Sequence, residues 1–366
     1  MYFGCEGIGS FPTESAASNR LRWGRARERR GWKKMNTFHE AEFYERLPEG
    51  DLVCRLCPQQ CRITVGKSGF CGIRINREGK LETINYGQVS SIGLDPIEKK
   101  PLYHYYPGRL ILSVGTVGCN LACRFCQNWQ ISREKSPTKS MTPEQLVELA
   151  EELRQEKDNI GVAYTYSEPG VWYEFLIKTM PRIRERGLKN VLVTNAFLEP
   201  EPWKKLLKWT DAANIDLKGF TESYYQRLCG GKLAPVLENI KAASSLIHME
   251  LTTLIIPGEN DRPEQIRKMA QWIAALDPEI PLHLSRYFPN YRLRKPATPL
   301  ITMEESLVIA KKYLKYVYLG NVGKANNTYC PECGSLLVER DGFQTRIFNM
   351  NICRECGKMV RIIIGT

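Results

Sequence analysis

The stretch Gly118-Cys119-Asn120-Leu121-Ala122-Cys123-Arg124-Phe125-Cys126-Gln127-Asn128-Trp129 places three cysteines in a Cys-x3-Cys-x2-Cys pattern. Three thiolates at this spacing can hold three irons of a 4Fe–4S cube and leave the fourth iron without a protein ligand. Clusters that only carry electrons usually have four cysteine ligands, so an open iron indicates a cluster that binds a further molecule. A zinc site or a chance grouping is the alternative, and the surrounding sequence must separate these possibilities.

Composition and charge are those of an ordinary globular protein. The chain has 366 residues, 43% hydrophobic and 25% charged, which allows a large core and two or three domains. The net charge is +12, and residues 1–34 supply eight basic against three acidic side chains. This stretch is interpreted as a disordered or wrongly assigned extension before a start at Met35, with an RNA- or membrane-facing arm as the alternative.

The cysteines indicate the cellular compartment. No apolar run reaches the roughly 20 residues that span a bilayer, so no membrane partner is expected. Thirteen cysteines would be unusual as disulfides in the cytoplasm but suit metal binding in a reducing compartment, so a cytoplasmic location is predicted. Eleven of them fall into groups at 54–71, 119–126 and 330–356, which leaves Cys5 and Cys229 unassigned.

The first group consists of Cys54, Cys57, Cys61 and Cys71. Glycines between and after these cysteines allow tight backbone turns around a metal. Four thiolates suit a structural zinc, which is the first interpretation, and also an auxiliary iron–sulfur cluster; unliganded thiols are the third possibility. Spacing alone does not separate zinc from a cluster. Residues 35–109 are predicted to form a cysteine-rich N-terminal module and a connector.

The last group, Cys330, Cys333, Cys353 and Cys356, forms two Cys-x2-Cys knuckles that are each followed by glycine. This pattern is typical of a zinc ribbon. Residues 321–366 are too few for a core of their own, so this zinc-ribbon-like module is predicted to need its metal. Binding of nucleic acid or protein and a stabilising cap on the main domain are the two roles considered.

From residue 110 onward, short β-branched runs alternate with helical patterns, which predicts an α/β domain of parallel βα units over residues 110–320. One helix is predicted to start at Thr142-Pro143-Glu144, and a short one to span residues 39–47. The pattern fits an open or a full parallel barrel as well as a doubly wound sheet. Strands are predicted at 110–114, 161–166, 190–194, 213–217, 249–255, 281–285 and 316–319.

Polar segments follow several of the predicted strands. The active site of a parallel barrel lies at the C-terminal ends of its strands. The cysteine motif follows the first predicted strand, so these segments are expected to converge with it on one site. They are Tyr164-Thr165-Tyr166-Ser167-Glu168-Pro169, Thr194-Asn195, Asp216-Leu217-Lys218, residues 257–261 and residues 283–287.

With these flanks, the motif closely resembles that of the radical S-adenosylmethionine (SAM) superfamily. The resemblance implies an open, partial (βα)6 radical SAM barrel with a 4Fe–4S cluster on Cys119, Cys123 and Cys126 and SAM on the open iron. It also implies an electron donor such as flavodoxin or ferredoxin. The expected chemistry is reductive cleavage of SAM to methionine and a 5′-deoxyadenosyl radical, followed by hydrogen abstraction from a substrate carbon.

Residues 110–290 are similar to the branch that includes pyruvate formate-lyase activating enzyme. That branch contacts the SAM amino group through a Gly-Gly-Glu-Pro segment. Here Glu168 and Pro169 match its acid and proline, so Glu168 is expected to accept a hydrogen bond from the SAM ammonium, with a helix-capping acid as the alternative.

Two more elements of this branch have counterparts. Thr194-Asn195-Ala196 resembles a Thr-Asn-Gly element near SAM, with alanine in place of glycine. Asp216 and Lys218 resemble an Asp-Leu-Lys element at the same edge of the barrel, and an exposed ion pair is the alternative for them.

The order of modules from Leu52 to the end resembles, more narrowly, the radical SAM enzyme of the AmmeMemoRadiSam system. This resemblance implies the fold and the cofactor and leaves the substrate open. The segments that carry it are Leu56-Cys57-Pro58, Gly66-x2-Gly69-x-Cys71, residues 95–104 and Ser285-Arg286-Tyr287-Phe288-Pro289.

Several further residues are candidates for substrate contact. The polar and aromatic residues at 95–106 are predicted to line the substrate side of the barrel mouth or to form a packed connector. His283 is predicted to contact substrate or to be a hydrogen-bonded core residue. Trp129, Tyr164 and Tyr166 are predicted to wall the radical site.

The sequence thus predicts a cytoplasmic radical SAM enzyme that acts on a macromolecule, since two metal-bound modules beside an open barrel offer more surface than a small ligand needs. A protein residue is the first substrate class and an RNA base the second. The competing hypothesis is a non-catalytic metalloprotein that binds nucleic acid or a partner. It would need a fourth ligand at the triad, and no further cysteine stands near Cys126 in the sequence.

Overall fold

The structure is a computed structural model and describes residues 38–134, 136–323, 326–342, 344–348 and 351–365. The extension predicted for residues 1–34 lies outside the described residues. The described residues all belong to one compact unit, Asn36–Thr366. The module boundaries at 109 and 320 therefore stay predictions.

Short antiparallel strands build the N-terminal part. They are β1 (His39–Glu40), β2 (Tyr44–Arg46), β3 (Leu52–Cys54), β4 (Arg62–Ile63), β5 (Arg74–Arg77) and β6 (Lys80–Thr83). They form two sheets with the orders β1-β6-β5 and β2-β3-β4. The helix predicted over residues 39–47 is wrong, because β1 pairs with the distant β6, β2 pairs with the neighbouring β3, and Phe43 between them has a φ of 59°, which a helix cannot contain.

A larger sheet follows. The next strands are β7 (Gln88–Val89), β8 (Ser91–Pro96), β9 (Leu110–Gly115), β10 (Lys139–Ser140), β11 (Asn159–Tyr164), β12 (Lys189–Thr194), β13 (Ala212–Asp216), β14 (His248–Ile255), β15 (Leu282–Arg286) and β16 (Val317–Gly320). Eight of them form one sheet in the order β16-β15-β14-β13-β12-β11-β9-β8, while β7 and β10 pair separately. Within this sheet, β9 and β11 to β16 are parallel, and β8 is an antiparallel edge. All seven predicted strands are present, shifted by at most two residues at either end.

Helices connect the parallel strands. They are α1 (Trp129–Arg133), α2 (Pro143–Lys157), α3 (Tyr173–Glu185), α4 (Pro200–Leu207), α5 (Leu233–Ser244), α6 (Pro263–Leu276) and α7 (Leu300–Lys311). Shorter helical segments are Pro48–Gly50, Ile97–Lys99, Pro169–Trp172, Glu222–Tyr224 and the π-helical turn Tyr225–Cys229. Helix α2 starts where predicted, because Thr142 and Gln145 form a reciprocal capping box.

The main domain is therefore a mixed α/β fold in which helices follow β9, β11, β12, β13, β14 and β15. All six residues of β11 and five of the six in β9 are buried, as expected for strands covered on both faces. This connectivity gives six βα units before β16. Curvature of the sheet into a partial barrel stays a prediction.

The C-terminal strands pack against the main sheet. They are β17 (Thr328–Tyr329), β18 (Leu336–Asp341) and β19 (Gln344–Ile347) and form one antiparallel sheet. Leu337 and Val338 share a buried cluster with Tyr316 and Tyr318 beside and on β16. The buried Arg340 donates to the Tyr103 carbonyl at 2.6 Å. Through these contacts, the C-terminal strands form a cap on the main domain.

Every helix among the described residues is too short or too polar to cross a membrane.

Candidate active site

A cavity of about 300 Å³ opens at the C-terminal ends of the parallel strands. This is the edge at which the polar segments were predicted to converge. Most lining residues come from the loops and strand ends after β9, β11, β12 and β13, and the others are Pro101, residues of β14 and β15, and Asn321, so the parallel topology brings residues far apart in sequence together. The predicted site residues that line the cavity are Cys119, Cys123, Cys126, Glu168, Asn195, Asp216 and Lys218.

The loop that carries the cysteine triad is held by protein contacts on two sides. Gly118 has a φ of 88°, and a Cβ there would lie 3.0 Å from the carbonyl oxygen of Cys71. On the other side, the Ala122 N–H donates to the Cys229 carbonyl at 2.7 Å. Only glycine combines this φ with this close approach, so Gly118 sets the position of the loop.

The spacing of the triad fits a cluster better than a single ion. Within the part of the chain that the structure describes, the C-terminal cysteines are the one group of three or more candidate ligands whose atoms all lie within 4.8 Å of one another. Thiolates on one zinc lie about 3.8 Å apart, given Zn–S bonds of about 2.3 Å, whereas each thiolate of a cubane binds its own iron. The triad is more widely spaced than a one-ion site, and its residues fit the implied 4Fe–4S cluster.

Burial governs the charge of these thiols. It raises the pKa of Cys119 and of Cys126 above the ordinary value for cysteine. The thiols are therefore protonated in the metal-free protein at neutral pH. Iron binding must displace these protons, which links cluster loading to pH.

A further cysteine approaches the triad. Cys229 is fully buried, and a hydrogen bond with its thiol, together with burial, raises the pKa of Cys123. No further cysteine stands near Cys126 along the chain, but the π-helical turn Tyr225–Cys229 packs on the cluster loop and brings Cys229 to Cys123 in space. No local pattern in the sequence signals this contact. Even with Cys229 included, no three of the described sulfurs at this site all lie within 4.8 Å of one another.

Glu168 both caps a helical turn and lines the cavity. Its Oε1 accepts hydrogen bonds from the Gly170 N–H at 2.8 Å and the Thr194 hydroxyl at 2.6 Å, and its Oε2 accepts from the Asn195 N–H at 2.8 Å. The alternative of a helix-capping acid is therefore correct, and it does not prevent Glu168 from also lining the cavity. A carboxylate can accept about four hydrogen bonds, so Oε2 keeps an acceptor position for a ligand in the cavity. Burial raises the pKa of Glu168 to about 7.

Thr194 and Asn195 have different positions. Thr194 lies behind Glu168 and orients its carboxylate. The Asn195 amide donates to the Asn120 side chain at 3.0 Å and lies 3.7 Å from the Cys119 sulfur. Ala196 has a φ of 51°, a conformation that glycine adopts more easily, which explains the glycine at the matching position of the related element.

Asp216 and Lys218 form an ion pair at 2.9 Å, with side chains 35% and 17% exposed. Both line the cavity. The Lys218 N–H also donates to the Tyr225 hydroxyl at 3.1 Å. The pair is thus partly enclosed and belongs to the cavity wall, which argues against the alternative of a fully exposed strand-end pair.

Tyr166 lines the cavity as predicted, in a strained backbone conformation with a φ of 72°. Its hydroxyl donates to Asp95 at 2.9 Å, and the buried Lys100 donates to the same carboxylate at 2.8 Å. Lys100 and the Tyr166 hydroxyl, acting against burial, lower the pKa of Asp95 to about 2. Residue 95 of the connector therefore reaches the cavity wall through Tyr166.

The other aromatic and histidine candidates make contacts within the protein. Tyr164 is fully buried and donates to the Asn190 side chain at 3.1 Å. Trp129 stacks on Tyr291, with ring centroids 5.2 Å apart. His283 is a core residue whose Nε2 lies 2.6 Å from the buried carboxylate of Glu250.

The connector at 95–106 is mainly packed. The backbone N–H of His104 donates to Glu250 at 2.7 Å, and its ring Nε2 lies 2.6 Å from the Tyr318 hydroxyl. Glu98 accepts from Thr345 of the C-terminal sheet at 2.9 Å. Pro101 lines the cavity and Asp95 with Lys100 contacts Tyr166, whereas Glu98 and Tyr103 join the main domain to its cap.

The C-terminal cysteines form a compact tetrad. Cys330 and Cys356 sulfurs are 3.6 Å apart, as are those of Cys333 and Cys353, and all four lie within 4.8 Å. Equivalent turns follow each pair, with Gly334 and Gly357 at φ of 74° and 72°. This separation matches four thiolates on one tetrahedral ion.

The chain can now be compared with known proteins. The family model of the radical SAM superfamily matches residues 113–273, which hold the cluster loop and the strand ends around the cavity. An uncharacterized protein of Methanocaldococcus jannaschii is 43% identical over 338 residues, which cover 89% of this chain and 99% of that protein. The chain belongs to the radical SAM superfamily.

Within the superfamily it is related to pyruvate formate-lyase activating enzymes. The enzyme of Staphylococcus aureus (strain USA300) is 26% identical over 174 residues, covering 44% of this chain and 68% of that protein. A solved domain of the enzyme from Bacteroides vulgatus is 22% identical, covers 44% of this chain and 99% of that domain, and has a TM-score of 0.39. The narrower resemblance to the AmmeMemoRadiSam enzyme stays a prediction.

Proposed function

We propose that this protein cleaves SAM reductively at a 4Fe–4S cluster bound by Cys119, Cys123 and Cys126 and uses the resulting 5′-deoxyadenosyl radical to abstract hydrogen from a substrate. The observation that carries the proposal is that three buried or half-buried thiols, spaced for a cluster, share one cavity with a carboxylate that keeps a free acceptor position. When bound, cluster and SAM supply one-electron cleavage to methionine and a 5′-deoxyadenosyl radical.

The residues of the chain have separate roles in this proposal. Glu168 accepts a hydrogen bond from the SAM ammonium through Oε2, and the hydroxyl of Thr194 keeps the carboxylate in place. Asn195 donates toward the Cys119 sulfur and orients the cluster loop through Asn120. Asp216 and Lys218 present one charge of each sign to the polar parts of the cofactor.

The first substrate class that we propose is a protein residue. This follows the relationship to pyruvate formate-lyase activating enzymes. For the C-terminal tetrad we propose one structural zinc, which holds the cap on the main domain.

RNA is the second substrate class, and one observation favours it. The segment Arg286–Lys295 after β15 contains four basic residues and no acid. Phe288 in this segment is 45% exposed and lies 4.9 Å from the Arg286 guanidinium. Exposed aromatic rings beside arginines bind single-stranded nucleic acid by stacking and charge.

The proposal is tested by anaerobic reconstitution with iron and sulfide, followed by SAM and dithionite. Formation of 5′-deoxyadenosine and methionine by the wild type and its loss in Cys123→Ala are expected. Cys229→Ala is the matched control, since both sulfurs are buried side by side and only Cys123 is a proposed ligand. If the loaded protein forms no product, a SAM-induced change in the electron paramagnetic resonance signal separates a substrate requirement from the metalloprotein hypothesis.

The RNA alternative is tested separately by titrating the full chain with single-stranded RNA at several salt concentrations. Arg292→Glu with Arg294→Glu should weaken binding and flatten its salt dependence. Lys311→Glu with Lys312→Glu changes the same charge at the exposed end of α7 and should have a smaller effect. Binding that is absent, or equal in both variants, rejects RNA and leaves a protein substrate.

A further inference from the structure

The four N-terminal cysteines carry a further inference. Cys54 and Cys57 are buried, at 6% and 8% exposure, and Cys61 and Cys71 are half-buried. The Cys54 N–H donates to the Cys61 carbonyl at 3.0 Å, and the N–H of Phe70, the residue before Cys71, donates to the Cys61 sulfur at 3.3 Å. The four side chains therefore converge on one place.

Each of the four sulfurs faces an N–H donor. The Phe70 N–H donates to Cys61 at 3.3 Å, and the Arg74 guanidinium lies 3.7 Å from Cys54. Backbone N–H groups also point at Cys57, from residue 59, and at Cys71, from residues 73 and 74. Donors aimed at every sulfur stabilise thiolates and are a general feature of metal–thiolate sites.

The spacing of this quartet differs from that of the zinc-like tetrad. The C-terminal sulfurs all lie within 4.8 Å, and among the described residues no three of the N-terminal sulfurs do. The radical SAM triad shares the wider spacing. Because both groups occur in one chain, the tetrad is an internal reference for a one-ion site, and the quartet does not match it.

The quartet also touches the loop of the SAM site. The Gln59 side chain, between Cys57 and Cys61, donates to the Asn120 carbonyl at 3.0 Å and to the Gly230 carbonyl at 2.7 Å. The carbonyl of Cys71 packs directly against Gly118. The backbone of Cys71, a member of the quartet, is therefore in contact with Gly118, the residue before Cys119.

We propose that Cys54, Cys57, Cys61 and Cys71 bind a second iron–sulfur cluster that relays electrons to the SAM site. A reduced flavodoxin- or ferredoxin-type protein gives one electron to the second cluster, which returns to its oxidised state when it passes that electron on. No proton or ligand is transferred. The relay depends on the proposed function, whereas the second cluster does not.

The experiment uses the full chain, reconstituted anaerobically with iron and sulfide in the presence of zinc, and counts metals and sulfide per chain. In the variant with Cys119, Cys123 and Cys126 all changed to alanine, we expect about four of the wild type's roughly eight irons to remain, with a cluster signal on reduction. The variant with Cys61→Ala and Cys71→Ala should lose about four irons, those of the second cluster, and keep the roughly four irons of the SAM-site cluster. Cys333→Ala with Cys356→Ala is the matched control and should lose zinc but no iron.

The proposal is overturned if the triad variant contains no iron and about two zinc ions per chain. This variant leaves the quartet intact, so misfolding of the quartet variant cannot mask the result. With full iron loading, failure of SAM cleavage together with no SAM-induced change in the electron paramagnetic resonance signal would reject the proposed function and keep the second cluster. In reduced wild type we expect the paramagnetic resonance spectrum to differ from the sum of the two cluster-deleted variants, and an exact sum would reject the relay.

Discussion

Arg74 and Glu174 form an ion pair in which the side chains are only 1% and 2% exposed. Arg74 lies on β5, three residues after the last cysteine of the N-terminal quartet, and Glu174 lies in the first turn of α3. Arg74 also donates to the Glu42 carbonyl at 2.7 Å. This pair therefore ties the N-terminal strands to the main α/β domain.

Arg74→Met should destabilise the protein strongly, because it leaves the buried Glu174 carboxylate without its positive partner and with only the Glu42 N–H donating to it. Loss of one member of a buried pair costs about 3–5 kcal/mol. Arg74→Met with Glu174→Leu removes both charges and should recover most of that loss. Urea unfolding of wild type and both variants measures the difference, and equal midpoints for the two variants would show that the unpaired Glu174 charge is not the cause of the loss.

SAM binding should depend on pH through Glu168. Its raised pKa of about 7 means that the free protein holds this carboxyl protonated below pH 7. Binding the SAM ammonium requires the carboxylate, so a proton must leave, and affinity should fall up to about tenfold per unit below pH 7 and level off above pH 8. Calorimetric titration of the cluster-loaded protein from pH 5.5 to 8.5 measures this.

Glu168→Gln should bind SAM weakly at every pH and lose the dependence. Glu144→Gln, the same change on the exposed first turn of α2, should keep the wild-type profile. A wild-type affinity that does not change across this range would remove Glu168 from the ammonium site.

Gly118→Ala should displace the cluster loop. The new Cβ would lie 2.8 Å from the Ile73 side chain and 3.0 Å from the Cys71 carbonyl, at a φ of 88°. We expect a loss of about 1–3 kcal/mol of stability and reduced iron content. Gly79→Ala is the control, since its φ is 81° but nothing lies within 4 Å; it should cost stability through strain alone and keep its iron. Equal iron in both variants would mean that the loop adapts.

Removal of the C-terminal metal should loosen the cap and leave the SAM site loaded. Cys330 and Cys353 are buried in the cluster that includes Tyr316 and Tyr318. Cys353→Ala should therefore lose about one zinc ion and lower the melting temperature by several degrees. Iron content should be unchanged. Loss of iron together with zinc would show that the cap supports the cluster loop.

Much of the fold could be predicted because its signals are local. Most of the parallel strands are short runs rich in apolar residues, and the Thr142-Pro143 start of α2 is a cap within four residues. The cysteine knuckles at 330–356 are likewise readable from spacing. The helix over 39–47 failed because the apolar spacing there is short, and the pairing of β1 with β6 and of β2 with β3 overrode it.

The sequence by itself determined the ligand types and their order: the triad spacing, the two cysteine quartets and the polar residues after each strand. Tertiary structure alone decided which of them meet. Cys229 reaches Cys123, Tyr166 reaches Asp95, and Gln59 joins the quartet to the cluster loop, all across long stretches of chain. The physical reason is that propensity and spacing act between neighbours in sequence, while these contacts exist only after the parallel strands align their ends and the short N-terminal sheets pack against them.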